Sequence, residues 1–180
     1  MGNTKPAGGV LLRPATAGDI AAITQIYADA VINGTATFEL TPPDDAEMAR
    51  RFAALVDNGY PYLVAELSGA VAGYAYAGPY RTRPAYKWTV EDSIYVAPHF
   101  HRRGIGLLLL QRLIAESERL GFRQMIAVIG DSAQVPSIAL HKAAGFAPIG
   151  TFRSIGFKHG KWLDTPLMQI ALGNGDTTTP

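Results

Sequence analysis

The chemistry this chain can perform is concentrated between Glu91 and Gly106. Glu91 and Asp92 stand side by side in Trp88–Val96, a run that reads as a β-strand. Strict alternation puts Thr89, Glu91, Ser93 and Tyr95 on one face and Val90, Asp92, Ile94 and Val96 on the other. Asp92 interrupts the second, apolar face, which points to a β-bulge there. A carboxylate among apolar neighbours loses hydration, and its pKa climbs toward the range in which it accepts a proton near neutrality. Glu91 is therefore the candidate general base, with Asp92 as the second choice. Each also has a plain reading as a strand carboxylate in water or in a structural hydrogen bond.

Directly after this strand come His101, Arg102, Arg103, Gly104, Ile105 and Gly106, and then a leucine-rich helix. The first amides of a helix lack internal partners, and glycines let a ligand approach the backbone. With the positive end of the helix and two arginines, that makes a cradle for phosphate oxygens. The segment lacks the GKS or GKT ending of a P-loop, and one G-x-G does not make a dinucleotide fingerprint. Arg81 and Arg83, in the loop ahead of the strand, can recognise a carboxylate or phosphinate with paired donors. His141 falls in the last turn of a later helix. It reads either as a proton donor near neutrality or as a cation at the negative helix end. His99 and His101 lack a further ligand at suitable spacing, so no metal is expected.

The elements that must hold these groups follow from periodicity. Strands are expected at Val10–Arg13, Tyr62–Leu67, Val71–Ala77, Trp88–Val96, Gln124–Ile129, Phe146–Phe157 (with a bend) and Trp162–Leu172. Helices are expected from Thr16 to Asn33, from Asp44 toward Asn58, from Gly104 to Gly121 and over Pro136–Ala144. The order β-α-α-β-β-β-α-β-α-β-β gives an α/β domain with a mixed sheet and helices on its faces. Residues 10–172 read as one domain, with polar flexible ends at 1–9 and 173–180.

Composition narrows the function. Sixteen basic and fifteen acidic residues leave a net charge of +1 over 180 residues, so no nucleic-acid footprint is present. No apolar run reaches the roughly 20 residues of a membrane span, and no signal peptide is seen. The lack of cysteine rules out disulfides and a cysteinyl intermediate. A cytoplasmic enzyme is the expectation.

The turn His101-Arg102-Arg103-Gly104-Ile105-Gly106 resembles the Q/R-x-x-G-x-G/A coenzyme A motif of the GNAT acetyltransferases, with His101 in place of the usual Gln or Arg. The likeness extends over residues 10–172 and is nearest to the phosphinothricin and methionine sulfoximine acetyltransferase branch. It is carried by Asn33–Glu39, Tyr80–Tyr86, Thr89–Val96, Ser137–Phe146 and Gly156–Asp164. The resemblance implies a GNAT-like, mostly antiparallel sheet whose central strands splay apart. It also implies acetyl-CoA as acetyl donor, held by the turn and by the backbone of Ile94, Tyr95 and Val96, with Gln134 and Ser137 adding contacts. Acetyl would pass directly to the α-amine of a small anionic amino-acid-like substrate: phosphinothricin, methionine sulfoximine or methionine sulfone. Glu91 would be the base and His141, at the position of a family tyrosine, the acid. Phe38, Glu39, Arg81, Arg83, Tyr86 and Thr89 would face the substrate. A homodimer is implied, with the Phe38–Glu39 loop near the partner. The rival readings are an acetyltransferase for other amines or protein N-termini, and a non-catalytic coenzyme A-binding regulator.

Overall fold

Alternation in the second and third strands sorts the core into two layers. Tyr62, Val64 and Tyr74 pack on one face of the sheet, while Leu63, Ala65, Ala75 and Ala77 pack on the other. The computed structural model describes residues 9–180. Apart from Gly9, the expected flexible N-terminus lies outside the described residues. The strands are β1 (Leu11–Pro14), β2 (Tyr62–Leu67), β3 (Ala70–Pro79), β4 (Thr89–Val96), β5 (Gln124–Val128), β6 (Ala147–Lys158) and β7 (Lys161–Ala171). The helices are α1 (Ile20–Asn33), α2 (Asp45–Val56), α3 (Ile105–Arg119) and α4 (Val135–Ala143).

One seven-stranded sheet runs β1-β2-β3-β4-β5-β7-β6. Every neighbouring pair is antiparallel except β4 with β5, which is parallel. The mixed sheet flanked by helices is thus the expected architecture. Helices α1 and α2 cover one face with Ile23, Tyr27, Val31 and Met48. Helix α3 covers the other, where Ile105, Leu109, Leu110 and Leu113 are at most 1% exposed. Burying each such side chain contributes about 1.5–3 kcal/mol, so this stripe fixes the helix on the sheet.

Local signals set the ends. The Asp44 carboxylate accepts the Glu47 amide at 2.8 Å and caps α2. Asp19 accepts the Thr16 amide at 2.8 Å and binds the Arg13 guanidinium at 2.7 Å, fastening the entry to α1 against β1. At the other end of the chain, Arg123 donates to the carbonyls of Gly175 and Thr178, both at 2.8 Å.

The expected bulge in β4 is absent. Its register against β3 is continuous from Val90 to Val96, so Asp92 stays on the α3–α4 face. What makes a carboxylate tolerable there is a partner: Asp92 Oδ2 lies 3.0 Å from Nε2 of His141 in α4. The bend expected in the sixth strand is real. The β6 register slips between Phe152 and Gly156 against β7.

Candidate active site

The parallel contact between β4 and β5 stops early. It covers only Thr89–Asp92 against Gln124–Ala127, whereas β4 stays paired with β3 up to Val96. Beyond Asp92 the two central strands part. The Ala97 amide bonds to Ala72 in β3, so alternation turns the backbone groups of Tyr95 toward β3 and those of Ile94 and Val96 into the gap. Of the three residues expected to offer main-chain groups, Ile94 and Val96 have them free of the sheet and Tyr95 does not. The Val96 carbonyl already accepts a hydrogen bond from the His101 ring at 2.8 Å.

At the mouth of this gap stands the glycine turn. Gly104 takes φ 77°, and the first α3 bond runs from the Leu108 amide to the Gly104 carbonyl. The amides of Ile105, Gly106 and Leu107 therefore lie in the first turn, where no helical acceptor exists. His101, Arg102 and Arg103 are exposed around them, with Arg103 resting 5.5 Å over the Phe100 ring. A Cβ built on Gly104 meets nothing within 4 Å, so that side of the turn is open. Free amides, open space and two guanidiniums fit a diphosphate, and the gap between β4 and β5 fits the extended arm of coenzyme A.

Glu91 faces a cavity of about 300 Å³ on the opposite side of β4 from Asp92. Arg81, Tyr80 and Phe38 line it together with Thr165 and Leu167 of β7, Phe152 and Ile155 of β6, and Val128 at the end of β5. Burial, and then the neighbouring Asp92 charge, push the Glu91 pKa from 4.5 up to about 7, against a smaller downward pull from Arg81. A carboxyl tuned this way exchanges protons near neutrality.

Around this centre the expected residues divide. Glu91, Arg81 and Phe38 come together on the cavity. Arg83, Tyr86 and Thr89 do not line it: Arg83 is exposed, Tyr86 packs edge-on against Tyr80, and the Thr89 carbonyl accepts the Tyr80 amide at 3.3 Å. Glu39 is held by Arg51 at 2.6 Å and by the Tyr27 hydroxyl at 3.0 Å, anchoring the loop that carries Phe38. Gln134 spends its amide nitrogen on Thr35 Oγ1 at 3.0 Å, and the Ser137 carbonyl takes the His141 Nδ1 proton at 2.7 Å. His99 is exposed beside Phe100. Among the described residues, no three His, Asp or Glu side chains cluster as metal ligands would.

His141 is 4% exposed, with an acceptor at each ring nitrogen. A neutral imidazole has one N–H, so His141 and Asp92 share one proton beyond the bond to Ser137. Burial lowers the imidazole pKa, but the Asp92 hydrogen bond and charge and the Ser137 carbonyl outweigh it, and the net direction is upward.

Several contributors had no role assigned from the sequence, although Gly156 and Lys158 fall in the family-like stretch Gly156–Asp164. Lys158 is buried and donates to the Thr37 carbonyl at 2.8 Å, tying the Phe38 loop to β6. Asp131 accepts Thr35 Oγ1 at 2.8 Å and ties the same loop to the start of α4. A Cβ on Gly156 would overlap the Phe38 ring, so the bare backbone there seats that ring. The alternating apolar pattern of β6 and β7 marks Phe152 and Leu167 as strand residues, yet only tertiary pairing turns them toward Glu91.

Comparison with known proteins agrees with this geometry. Residues 12–167 match the acetyltransferase (GNAT) domain model. A phosphinothricin N-acetyltransferase of Alcaligenes faecalis is 53% identical over 162 residues, covering 90% of this chain and 82% of the relative. An L-methionine sulfoximine/L-methionine sulfone acetyltransferase of Salmonella typhimurium is 39% identical over 161 residues, covering 89% and 94%. Among solved structures, a GNAT superfamily phosphinothricin acetyltransferase from Sinorhizobium meliloti in complex with AcCoA superposes with a TM-score of 0.92 at 54% identity, covering 95% of this chain and 92% of that one. The chain belongs to the GNAT acetyltransferase family, and it is an acetyl-CoA-dependent N-acetyltransferase.

Proposed function

We propose that this enzyme works in the cytoplasm and transfers acetyl to the α-amine of a small anionic amino-acid-like substrate of the phosphinothricin, methionine sulfoximine or methionine sulfone type. The observation that carries the reading is one cavity holding both Glu91, poised near neutral pH, and Arg81, a cation for the substrate carboxylate. Relatives named for these three substrates support it.

Bound acetyl-CoA supplies an activated acyl carbon as a thioester. The amides of Ile105 and Gly106, the Gly104 turn, His101, Arg102 and Arg103 hold its diphosphate, while the backbone groups of Ile94 and the Val96 amide align the arm, with Tyr95 between them. Gln134 and Ser137 border the same region from the start of α4. Arg81 fixes the amino acid by its carboxylate, assisted by the outlying Arg83, with Phe38 and the Glu39-anchored loop closing over it and Tyr86 and Thr89 backing the Arg81 loop. Glu91 takes one proton from the ammonium, directly or through water, and the amine nitrogen bonds to the acyl carbon as the carbon–sulfur bond breaks. The second amine proton leaves to water as the bond forms, and it balances the proton that His141 gives to sulfur and then regains from water. The departing sulfur receives a proton, for which His141 is the proposed source. Its partner Asp92 sits where β4 and β5 part, and Asp92 Oδ1 has no partner of its own. Glu91 then releases its proton to solvent, so the net products are amide, free thiol and one proton.

The reading also includes a homodimer formed through the exposed apolar edge of β6 and β7. A thiol-release assay with acetyl-CoA against methionine sulfoximine, methionine sulfone, phosphinothricin, polyamines and peptides tests the substrate. Turnover of peptides at least as fast as of methionine sulfoximine would refute it. Arg81→Ala should raise the amine KM about tenfold or more, as expected for losing a charge-assisted pair, and leave the acetyl-CoA KM within twofold. Equal losses for both substrates would remove Arg81 from its role.

A further inference from the structure

Antiparallel β6 and β7 lose register twice, by one residue at Ile149 between Pro148 and Gly150 and more widely between Phe152 and Gly156. Phe152 opposes Thr165 and Gly156 opposes Leu163, so three β6 residues stand against the single Asp164. The chain absorbs the excess at Ser154, which takes φ 49°, a left-handed conformation uncommon outside glycine. Such a conformation persists only when its surroundings hold it. Asp164 does so from the facing strand: one carboxylate oxygen accepts the Ser154 amide at 2.9 Å, and the other accepts Arg153 Nη1 at 2.8 Å.

A bulge redirects the side chains beside it. Here the two apolar residues that bracket Arg153 and Ser154, Phe152 and Ile155, both turn into the cavity that contains Glu91 and Arg81. Just past the bulge, Gly156 lies under the Phe38 ring, leaving no room for a Cβ. The wall facing the catalytic carboxylate is therefore made by an irregularity that one surface carboxylate holds in place.

We propose that the Asp164-held bulge at Arg153–Ile155 is the specificity-determining wall of the acceptor pocket. Asp164 and Ser154 are positioning residues, and Ile155, with Phe152, contacts the side chain of the amine substrate. The inference rests on the amino-acid acetyltransferase reading above and adds what selects among amino acids. Arg81 and Glu91 address the carboxylate and amine that all α-amino acids share, so discrimination must come from groups that meet the side chain. An apolar wall discriminates by about 10–200-fold per methylene-sized difference. Such a wall favours a mid-sized side chain that fills it over one too small to touch it or too large to fit.

The test is steady-state kinetics with alanine, methionine sulfone and phenylalanine as acceptors, varying each amine and acetyl-CoA separately. Asp164→Ala should raise the methionine sulfone KM about tenfold, flatten its preference over alanine, and leave the acetyl-CoA KM within twofold. Asp164→Asn keeps an oxygen for the Ser154 amide and should recover most of the lost preference. Ile155→Ala is an independent check, since Ile155 is 56% exposed and its truncation leaves the core intact. It should shift kcat/KM toward phenylalanine by about tenfold relative to methionine sulfone. An unchanged ranking of the three acceptors in both alanine variants, with active wild-type enzyme, overturns the inference alone. So does an Asp164→Ala defect spread equally over kcat and both KM values. A wild-type enzyme that binds acetyl-CoA yet acetylates none of the three refutes the amino-acid reading, and the inference falls with it.

Discussion

Glu91, the proposed base, shows how one side chain can be tuned for catalysis at a cost in stability. Its pKa near 7 means that kcat/KM should rise with pH up to about 7 and then level, because the base must be ionised. The folded value lies above the ordinary 4.5, so between those two values the folded chain binds more protons than the unfolded one. Stability from this group is therefore greatest below pH 4.5, falls as pH rises through 7, and is fully lost above it. The gap corresponds to about 3 kcal/mol at most, and solvent access to the carboxyl reduces it. Glu91→Gln should lower kcat by about 10²–10³, and at pH 8 it should be more stable than wild type by about 1–2 kcal/mol. Paired urea titrations at pH 5 and pH 8 measure the second effect, and a variant equally stabilised at both would contradict the assignment. His141, whose folded pKa is also raised, carries the same sign: its contribution is present at low pH and is lost as pH rises through the folded value. Removing the Asp92 charge leaves burial as the main influence on the imidazole, so Asp92→Asn should move the His141 titration from above 6.5 to below it, as read by NMR.

At the scale of elements, the junction of β4 and α3 forms the proposed cofactor site. Gly104 holds φ 77° with no atom crowding a Cβ, so Gly104→Ala meets backbone strain alone. It should cost about 1–2 kcal/mol and weaken acetyl-CoA binding in calorimetry, while the amine KM at saturating acetyl-CoA stays near wild type. Much of this junction was readable in the chain. A strand with two carboxylates, a glycine turn and a leucine stripe each obey local rules, and the element order followed with ends off by a residue or two. Glu91 stood out in the sequence because a pair of carboxylates inside a strand that leads into a glycine turn is a local anomaly. The parting of β4 from β5 was legible only through family resemblance, since it depends on which strand β4 finds 30 or more residues downstream. Asp92 misled for the same reason. Its partner His141 lies 49 residues away, and without it a buried carboxylate looks like grounds for a bulge. For Glu39 and Gln134, nothing local reveals that Arg51 and Thr35 hold them.

Across the whole molecule, the sheet ends at β6, and that edge is not built to face water. Ile149, Phe152, Ile155, Phe157 and Trp162 are each 47–65% exposed, all on β6 or the adjoining β7. An edge strand with unpaired backbone and several large apolar side chains invites a second chain, unless charges or proline blunt it. A two-fold axis beside β6 would bury the patch against its own copy, because a symmetric interface joins one surface to itself. Two of the patch residues, Phe152 and Ile155, also line the Glu91 cavity, so the proposed assembly and the acceptor pocket share a wall. Sedimentation should therefore give twice the 19.2-kDa chain mass for the wild type. Trp162→Asp places a charge at the patch on a residue 65% exposed, so the single chain should still fold. It should shift the equilibrium toward monomer and raise the amine KM, with acetyl-CoA binding unchanged because none of the residues proposed to hold the cofactor lies on β6 or β7. A wild-type chain that sediments at 19.2 kDa at tens of micromolar would remove the dimer from the proposal and leave the pocket to be closed by Phe38 and β6 alone.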